Sequence, residues 1–300
     1  IYTKIMIIST FQKLCLILLS LCNVRITHCI ANIISILFFS TKSKNYRVAY
    51  KNLRICFPEK TEQWIHKTAK ESIKEYLKSL LESPYLYRSS KKKIGALIKN
   101  IYNEDIIKKY IDKNDKGIIF MTPHHGSWEL SGLFIASNIK IFSMFKPLRN
   151  KVLNDFVFNG RESQGATLVE ADNTGVKKLL RAIKNNNSVG ILPDHTPKFN
   201  QGVMSNFYGV PVNTATLIYK LGKKNKSPII YVFAERLSNG KGFDIHLGII
   251  EDDFYNLDEK TSADFLNKKI EYLVNKNIPQ YLWSYERFRN RSGVEENIYN

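Results

Sequence analysis

Beyond residue 117 the chain alternates short apolar runs with longer stretches in which apolar residues recur every three or four positions. The short runs are typical of buried strands, and the longer stretches are typical of amphipathic helices. This alternation predicts an α/β fold with a mixed, largely parallel sheet flanked by helices. The predicted strands cover residues 117–122, 140–144, 188–192, 229–234 and 243–247, and the predicted helices cover residues 127–136, 151–163, 175–183, 214–223 and 262–275.

A further helix is predicted over residues 61–82, where Ile65, Ala69, Ile73 and Leu77 recur every four positions. The hydroxyl of Thr61 can accept a hydrogen bond from an N–H group of the first turn, so Thr61 is the predicted N-cap. No internal repeat, long linker or low-complexity tract occurs. We therefore predict that residues 42–300 form one domain.

Residues 1–41 form an apolar extension that Lys13 and Arg25 interrupt. Neither uninterrupted stretch reaches the roughly 20 apolar residues of a membrane-spanning helix. We predict a helical segment that anchors the chain to a membrane, and two modes stay open. The segment spans the bilayer while Lys13 extends towards the interface, or two amphipathic helices lie in the plane of the interface. The basic cluster that follows favours anionic lipid on the cytoplasmic side, and it consists of Lys42, Lys44, Arg47, Lys51 and Arg54.

The net charge of +18 over 300 residues bears on the partners of the protein rather than on its fold. Nucleic acid, an anionic membrane surface and an acidic carrier protein all fit this charge. No helix-turn-helix, zinc-finger or RNA-binding motif occurs, so we predict no nucleic-acid partner. The glycine-rich loops that bind ATP or NAD are also missing from the sequence.

The stretch HHGSWE at residues 124–129 lies at the junction between a predicted strand and a predicted helix. Sites of α/β proteins form at the carboxyl ends of strands. His124 is therefore a candidate general base for a hydroxyl group, and Glu129 is a candidate partner that holds the imidazole tautomer. Ser127 is interpreted as a helix N-cap rather than a nucleophile. A metal site that adds His125 and Asp194 is the alternative, but no zinc-ligand spacing is present and we predict no metal.

Several segments match one family in chain order from about residue 45 to 291. Together with the HHGSWE stretch, they make the chain resemble the bacterial lipid A lauroyl/myristoyl acyltransferases, which are HX4D/E acyltransferases. The chain departs from the usual family residue at four of the matched positions, namely His125, Ser127, His195 and Tyr285. The other matching segments are NLRICFPE at residues 52–59, NGRE at 159–162, GILPDHTP at 190–197, FYGVP at 207–211 and PQYLWSYERF at 279–288.

The resemblance implies transfer of a fatty acyl chain from an acyl-carrier-protein thioester to a hydroxyl of a lipid A precursor, at the cytoplasmic face of the bacterial inner membrane. His124 would be the base and Glu129 its partner, while Arg161 would bind substrate charge and Asp194 would support the substrate site. From the residues alone, Asp194 fits a turn cap equally well. No cofactor is implied beyond the carrier-protein thioester as co-substrate.

Other readings of the function stay open. The acceptor can be another lipid, such as a lysophospholipid or a glycolipid, because the motif does not identify the acceptor. Coenzyme A is an alternative donor, and the length of the acyl chain is not specified. A basic nucleic-acid-binding protein and a catalytically inactive membrane scaffold are the rivals from other classes; the missing motifs oppose the first, and the intact pair of His124 and Glu129 opposes the second.

Overall fold

The computed structural model describes residues 2–41, 43–113, 116–198, 201–289, 291 and 298–299. Lys42 of the predicted basic cluster lies outside the described residues. The main sheet has seven strands in the order β1-β9-β8-β2-β5-β3-β4, and a separate hairpin pairs β6 with β7. The strands are β1 (Ile98–Tyr102), β2 (Ile119–Met121), β3 (Ile141–Phe145), β4 (Thr167–Glu170), β5 (Ser188–Ile191), β6 (Val203–Phe207), β7 (Val210–Thr214), β8 (Ile229–Arg236) and β9 (Phe243–Ile250).

Neighbouring strands of the main sheet run parallel except for the antiparallel pair of β8 and β9, which confirms the predicted mixed, largely parallel sheet. Helices flank the sheet, as predicted. They are α1 (Tyr2–Leu21), α2 (Val24–Ser40), α3 (Lys44–Cys56), α4 (Glu62–Tyr87), α5 (Lys91–Leu97), α6 (Glu104–Lys113), α7 (Trp128–Ala136), α8 (Lys151–Glu162), α9 (Asn173–Lys184), α10 (Leu217–Gly222) and α11 (Glu259–Val274).

The two faces of the sheet bury separate apolar clusters because side chains alternate along each strand. Phe120 of β2 packs in the cluster that contains Leu130 of α7, whereas Met121 packs in the opposite cluster with Leu179 of α9. A third cluster joins α3, α4 and α11 to the aromatic C-terminal segment around Trp283. The central strands are therefore buried on both faces, and side chains that follow them lie at the carboxyl edge of the sheet.

The N-terminal helices α1 and α2 pack against α4. Among the described residues, no single helix combines the length and apolar composition needed to cross a bilayer, although Val24–Phe39 and Lys44–Cys56 pass such a test when taken together across a bend of 84°. The helical character of the extension agrees with the prediction. Its attachment to a membrane stays a prediction.

The structure extends the predicted elements in several places. Helix α4 starts where Thr61 accepts a hydrogen bond from the Trp64 N–H, as predicted, but it continues through Pro84 to Tyr87. The edge strands β1 and β4 were not predicted, because they carry exposed polar residues instead of an apolar run. Residues 214–223 were predicted as one helix, but Thr214 ends β7 and α10 begins at Leu217.

Candidate active site

His124 and Asp194 lie side by side at the carboxyl edge of the sheet. Their strands β2 and β5 are parallel neighbours, and Met121 pairs with Ile191. His124 follows Met121 at the same offset as Asp194 follows Ile191, so the two residues leave the sheet together. The Nδ1 atom of His124 lies 2.8 Å from Oδ1 of Asp194, and the His124 backbone N–H donates to Oδ2 at 2.8 Å. The sequence-predicted residues His124 and Asp194 therefore meet in one site.

The contact between His124 and Asp194 fixes the tautomer of the His124 imidazole. Burial by itself raises the pKa of Asp194, but the charge of His124 and its hydrogen bonds outweigh burial and hold that pKa well below its ordinary value. The Asp194 side chain is thus an ionised carboxylate, which only accepts hydrogen bonds. Nδ1 of His124 must then carry a proton, so Nε2 is the nitrogen that carries the free lone pair in the neutral imidazole. The side chain of His124 is 13% exposed, so a substrate can approach it, whereas that of Asp194 is 2% exposed.

Glu129 pairs with Arg161, and this corrects the predicted arrangement. Nε and Nη2 of Arg161 donate to the two carboxylate oxygens of Glu129 at 2.9 and 2.5 Å. The physical reason is that Glu129 lies in the first turn of α7, which packs on α8, and Arg161 lies in the last turn of α8. Asp194, not Glu129, is the carboxylate on the imidazole of His124. The catalytic and substrate-binding roles of these residues stay predictions.

Trp128 links the two pairs. Its indole N–H donates to Oε1 of Glu129 at 3.1 Å, and its ring centroid lies 5.5 Å from that of His124. Burial by itself raises the pKa of Glu129, but the adjacent Arg161 guanidinium lowers it below its ordinary value. Glu129 is therefore ionised as well. It binds the Arg161 guanidinium and also the Trp128 ring, which packs on the candidate base.

The loop between β2 and α7 rests on a buried charged network. Ser127 occupies the N-cap position of α7, as predicted, but its side chain makes no capping hydrogen bond. Its hydroxyl instead donates to Glu82 of α4 at 2.6 Å, and Glu82 also binds His28 of α2 at 2.7 Å. Arg236 of β8 donates to Glu82 at 2.9 and 2.6 Å. Gly126 adopts φ of 62°, and a Cβ atom there would overlap the backbone carbonyl of the neighbouring strand β8.

Sequence reasoning missed Glu82 and Arg236, because a charged residue on a helix or strand is usually solvated. Glu82 is 0% exposed and Arg236 is 4% exposed. Burial by itself raises the pKa of Glu82, but Arg236 lowers it to about 2. The pair therefore stays ionised in the interior, directly beneath the loop that carries His124. Glu82 lies on a different face of α4 from the stripe of Ile65, Ala69, Ile73 and Leu77, so the periodicity of the helix carried no signal for its burial.

His125 faces away from the site and cannot serve as the base. Its side chain is 0% exposed, and its ring packs 4.7 Å from the ring of Phe233 and 6.4 Å from that of Tyr281, measured between centroids. The ring that packs on Trp128 is that of His124. Burial lowers the pKa of His125 to about 3, so this imidazole is neutral at neutral pH.

Comparison with known proteins identifies the family of the chain. The model of a family described as bacterial lipid A biosynthesis acyltransferase matches residues 2–290. The chain belongs to this family. It is an acyltransferase. A lipid A biosynthesis acyltransferase of Haemophilus influenzae is 23% identical over 250 residues, which cover 81% of this chain and 77% of that protein. A lipid A biosynthesis palmitoleoyltransferase of Escherichia coli is 22% identical and covers 84% of this chain and 81% of its own length. A lauroyltransferase of E. coli is also 22% identical, with 82% and 79% covered.

One of the matching segments is bound to the loop of His124. The amides of Gly126 and Leu282 donate to the backbone carbonyls of Gln280 and His124 at 3.0 and 2.9 Å. The C-terminal matching segment at residues 279–288 is thus paired with the loop. Arg287 of that segment is 2% exposed and donates to the backbone carbonyl of Asn213 at 2.8 Å. It supports the interior beside the site.

Proposed function

We propose that this acyltransferase moves a fatty acyl chain from an acyl-carrier-protein thioester to a hydroxyl of a lipid A precursor. The observation that carries the proposal is the hydrogen bond from the His124 imidazole to the buried Asp194 carboxylate at the carboxyl edge of the sheet. The names of the family and of the relatives supply the acceptor, because they act in lipid A biosynthesis. No cofactor is needed for transfer from a thioester.

His124 acts as the general base in this proposal. Its free Nε2 takes the proton of the acceptor hydroxyl while the hydroxyl oxygen attacks the thioester carbon. Asp194 holds the ring and stabilises the imidazolium that forms, as the acid does in a catalytic triad. When the carbon–sulfur bond breaks, the imidazolium returns the proton to the thiolate. Asp194 thus takes the orienting role that the sequence assigned to Glu129.

Arg161 and Glu129 act together on substrate charge. A bidentate ion pair fixes the plane of the guanidinium, and a fixed guanidinium recognises a phosphate better than a mobile one does. The guanidinium keeps 30% side-chain exposure in the pair. We propose that Arg161 binds a phosphate of the acceptor or the donor, and that Glu129 is the residue that positions Arg161 for this contact.

The N-terminal helices supply the membrane attachment. Large apolar side chains of α1 and α2 remain exposed although both helices pack on α4, and the exposed fractions of Leu21 and Leu37 are 73% and 66%. Lys44, Arg47 and Lys51 follow directly on α3. An apolar surface next to basic residues favours insertion into an anionic lipid surface. We propose attachment to the cytoplasmic face of the bacterial inner membrane.

The test is acyl transfer by the purified full chain in mixed micelles, with an acyl-carrier-protein thioester as donor and a lipid A precursor as acceptor. The His124→Ala and Asp194→Asn variants should lose on the order of 10²–10⁴-fold in rate. His66→Ala is the matched control, because this exposed histidine lies on α4 outside the site. Transfer by the wild type to a lysophospholipid but not to the precursor would reassign the acceptor. Full activity of His124→Ala would overturn the proposed chemistry.

A further inference from the structure

His195 places a second imidazole against the candidate base. Its ring centroid lies 4.4 Å from that of His124, with the ring planes at 73°. Tyr285 packs on His195 at 5.0 Å with planes at 83°. His195 is nevertheless exposed, whereas Asp194 before it and Thr196 after it are buried. The ring therefore packs on its inner side and opens towards solvent beside the candidate base.

The ring nitrogens of His195 are available to a substrate. Among the described residues, no hydrogen bond or ion pair is made by either nitrogen of this ring. Burial of the inner side of the ring holds the pKa of His195 below its ordinary value. A neutral imidazole carries one N–H donor. The site thus presents a free Nε2 on His124 and a free N–H on His195, on two rings whose centroids lie 4.4 Å apart.

Attack on a thioester needs a hydrogen-bond donor for the carbonyl oxygen, which gains a negative charge. The backbone amides of the loop do not supply one. His124 N–H is bound by Asp194, and the amides of His125, Gly126 and Ser127 donate to backbone carbonyls at 2.7, 3.0 and 2.8 Å. Two donors of the Arg161 guanidinium are held by Glu129, and its remaining donors are those proposed above to bind a substrate phosphate. Within the part of the chain that the structure describes, the first amides of α7 and the imidazole of His195 are candidates for this donor.

We propose that His195 is a second catalytic residue, which donates its N–H to the thioester carbonyl oxygen as that oxygen becomes an oxyanion. This inference rests on the acyl transfer proposed above. The acceptor oxygen bonds to the acyl carbon, the carbonyl electron pair moves to the oxygen, and His124 takes the hydroxyl proton. The carbonyl then re-forms, the carbon–sulfur bond breaks, and the thiolate takes the proton from His124. His195 gains and loses no proton; it stabilises the charge only.

Two variants distinguish the effect of the His195 N–H donor from the effect of its aromatic ring. His195→Phe keeps a flat ring between His124 and Tyr285 but has no N–H, whereas His195→Gln keeps a neutral N–H and has no ring. In the same micelle assay, we expect His195→Phe to lower kcat on the order of 10²-fold, as loss of an oxyanion donor does, with KM within about threefold of the wild type. We expect His195→Gln to retain kcat within about tenfold. Thermal unfolding of both variants reports any loss of fold, and His66→Phe is the control for a histidine replaced outside the site.

The outcomes also separate this inference from the proposed function. If the wild type transfers the acyl chain and His124→Ala does not, the proposed function stands. A kcat of His195→Phe within about threefold of the wild type would then overturn the role of His195 and favour the first amides of α7 as the donors. A His195→Gln variant as slow as His195→Phe would overturn it too. Absence of transfer by the wild type would refute the proposed function and the role of His195 with it.

Discussion

Replacement of His125 by phenylalanine should stabilise the protein and leave its activity intact. His125 is 0% exposed, and neither ring nitrogen has a hydrogen-bond partner among the described residues. A buried polar group without a partner destabilises a fold by about 1–3 kcal/mol. Phenylalanine keeps the ring contact with Phe233 and removes the unsatisfied nitrogens. We therefore expect the free energy of unfolding at pH 7 to rise by about 1–3 kcal/mol.

The increase in the free energy of unfolding caused by His125→Phe should be larger at acidic pH. The pKa of His125 is lowered from 6.5 to about 3 in the folded protein, so below pH 6.5 the unfolded chain binds a proton that the folded protein does not. Stability is therefore lost as the pH falls from 6.5 towards 3, at about 1.4 kcal/mol per pH unit. This group alone removes about 2 kcal/mol from the wild type between pH 7 and pH 5. The phenylalanine variant has no such proton to bind, and it escapes that loss.

Urea unfolding of the wild type and of His125→Phe at pH 7 and pH 5 measures both effects. The difference in unfolding free energy between the two proteins should be larger at pH 5 than at pH 7 by about 2 kcal/mol. His66→Phe is the matched control, because His66 is exposed and bound to the Tyr46 hydroxyl. An equal pH dependence in wild type and His125→Phe would refute the reasoning. Loss of acyl transfer in His125→Phe would show that His125 takes part in the chemistry.

Three further replacements probe the support of the site. Gly126→Ala should lower stability by about 1–3 kcal/mol and kcat by at least about tenfold, measured by thermal unfolding and micelle kinetics, because the loop must move to admit a Cβ atom at positive φ. Arg161→Lys should raise KM on the order of tenfold, since lysine cannot reproduce the bidentate contact with Glu129; an unchanged KM would remove Arg161 from substrate binding. Glu82→Gln should destabilise the fold by about 3–5 kcal/mol in urea unfolding, because it leaves the buried Arg236 with too little negative charge; a smaller loss would mean that water or other groups compensate.

The central part of the fold was predictable because its strands are buried on both faces. The strand predictions at 117–122, 140–144, 188–192, 229–234 and 243–247 all coincide with strands of the main sheet. Strands β6 and β7 were missed although Tyr208 and Gly209 form their turn with positive φ, at 50° and 75°. Positive φ at both central positions is typical of a tight hairpin. The first central position normally carries glycine or asparagine, so the sequence with Tyr208 at this position did not indicate a turn.

The pairing of His124 with Asp194 could not be read from local sequence, and the reason lies in the order of strands. Strands β3 and β4 come between β2 and β5 in the chain, yet both lie beyond β5 in the sheet. A sequence reading that expects consecutive strands to be neighbours sets β3 beside β2 and moves Asp194 away from His124. Glu129 then remains as the nearest carboxylate in sequence. Once β5 is placed beside β2, equal offsets from the paired residues Met121 and Ile191 put Asp194 on the imidazole, and Glu129 is left to hold Arg161.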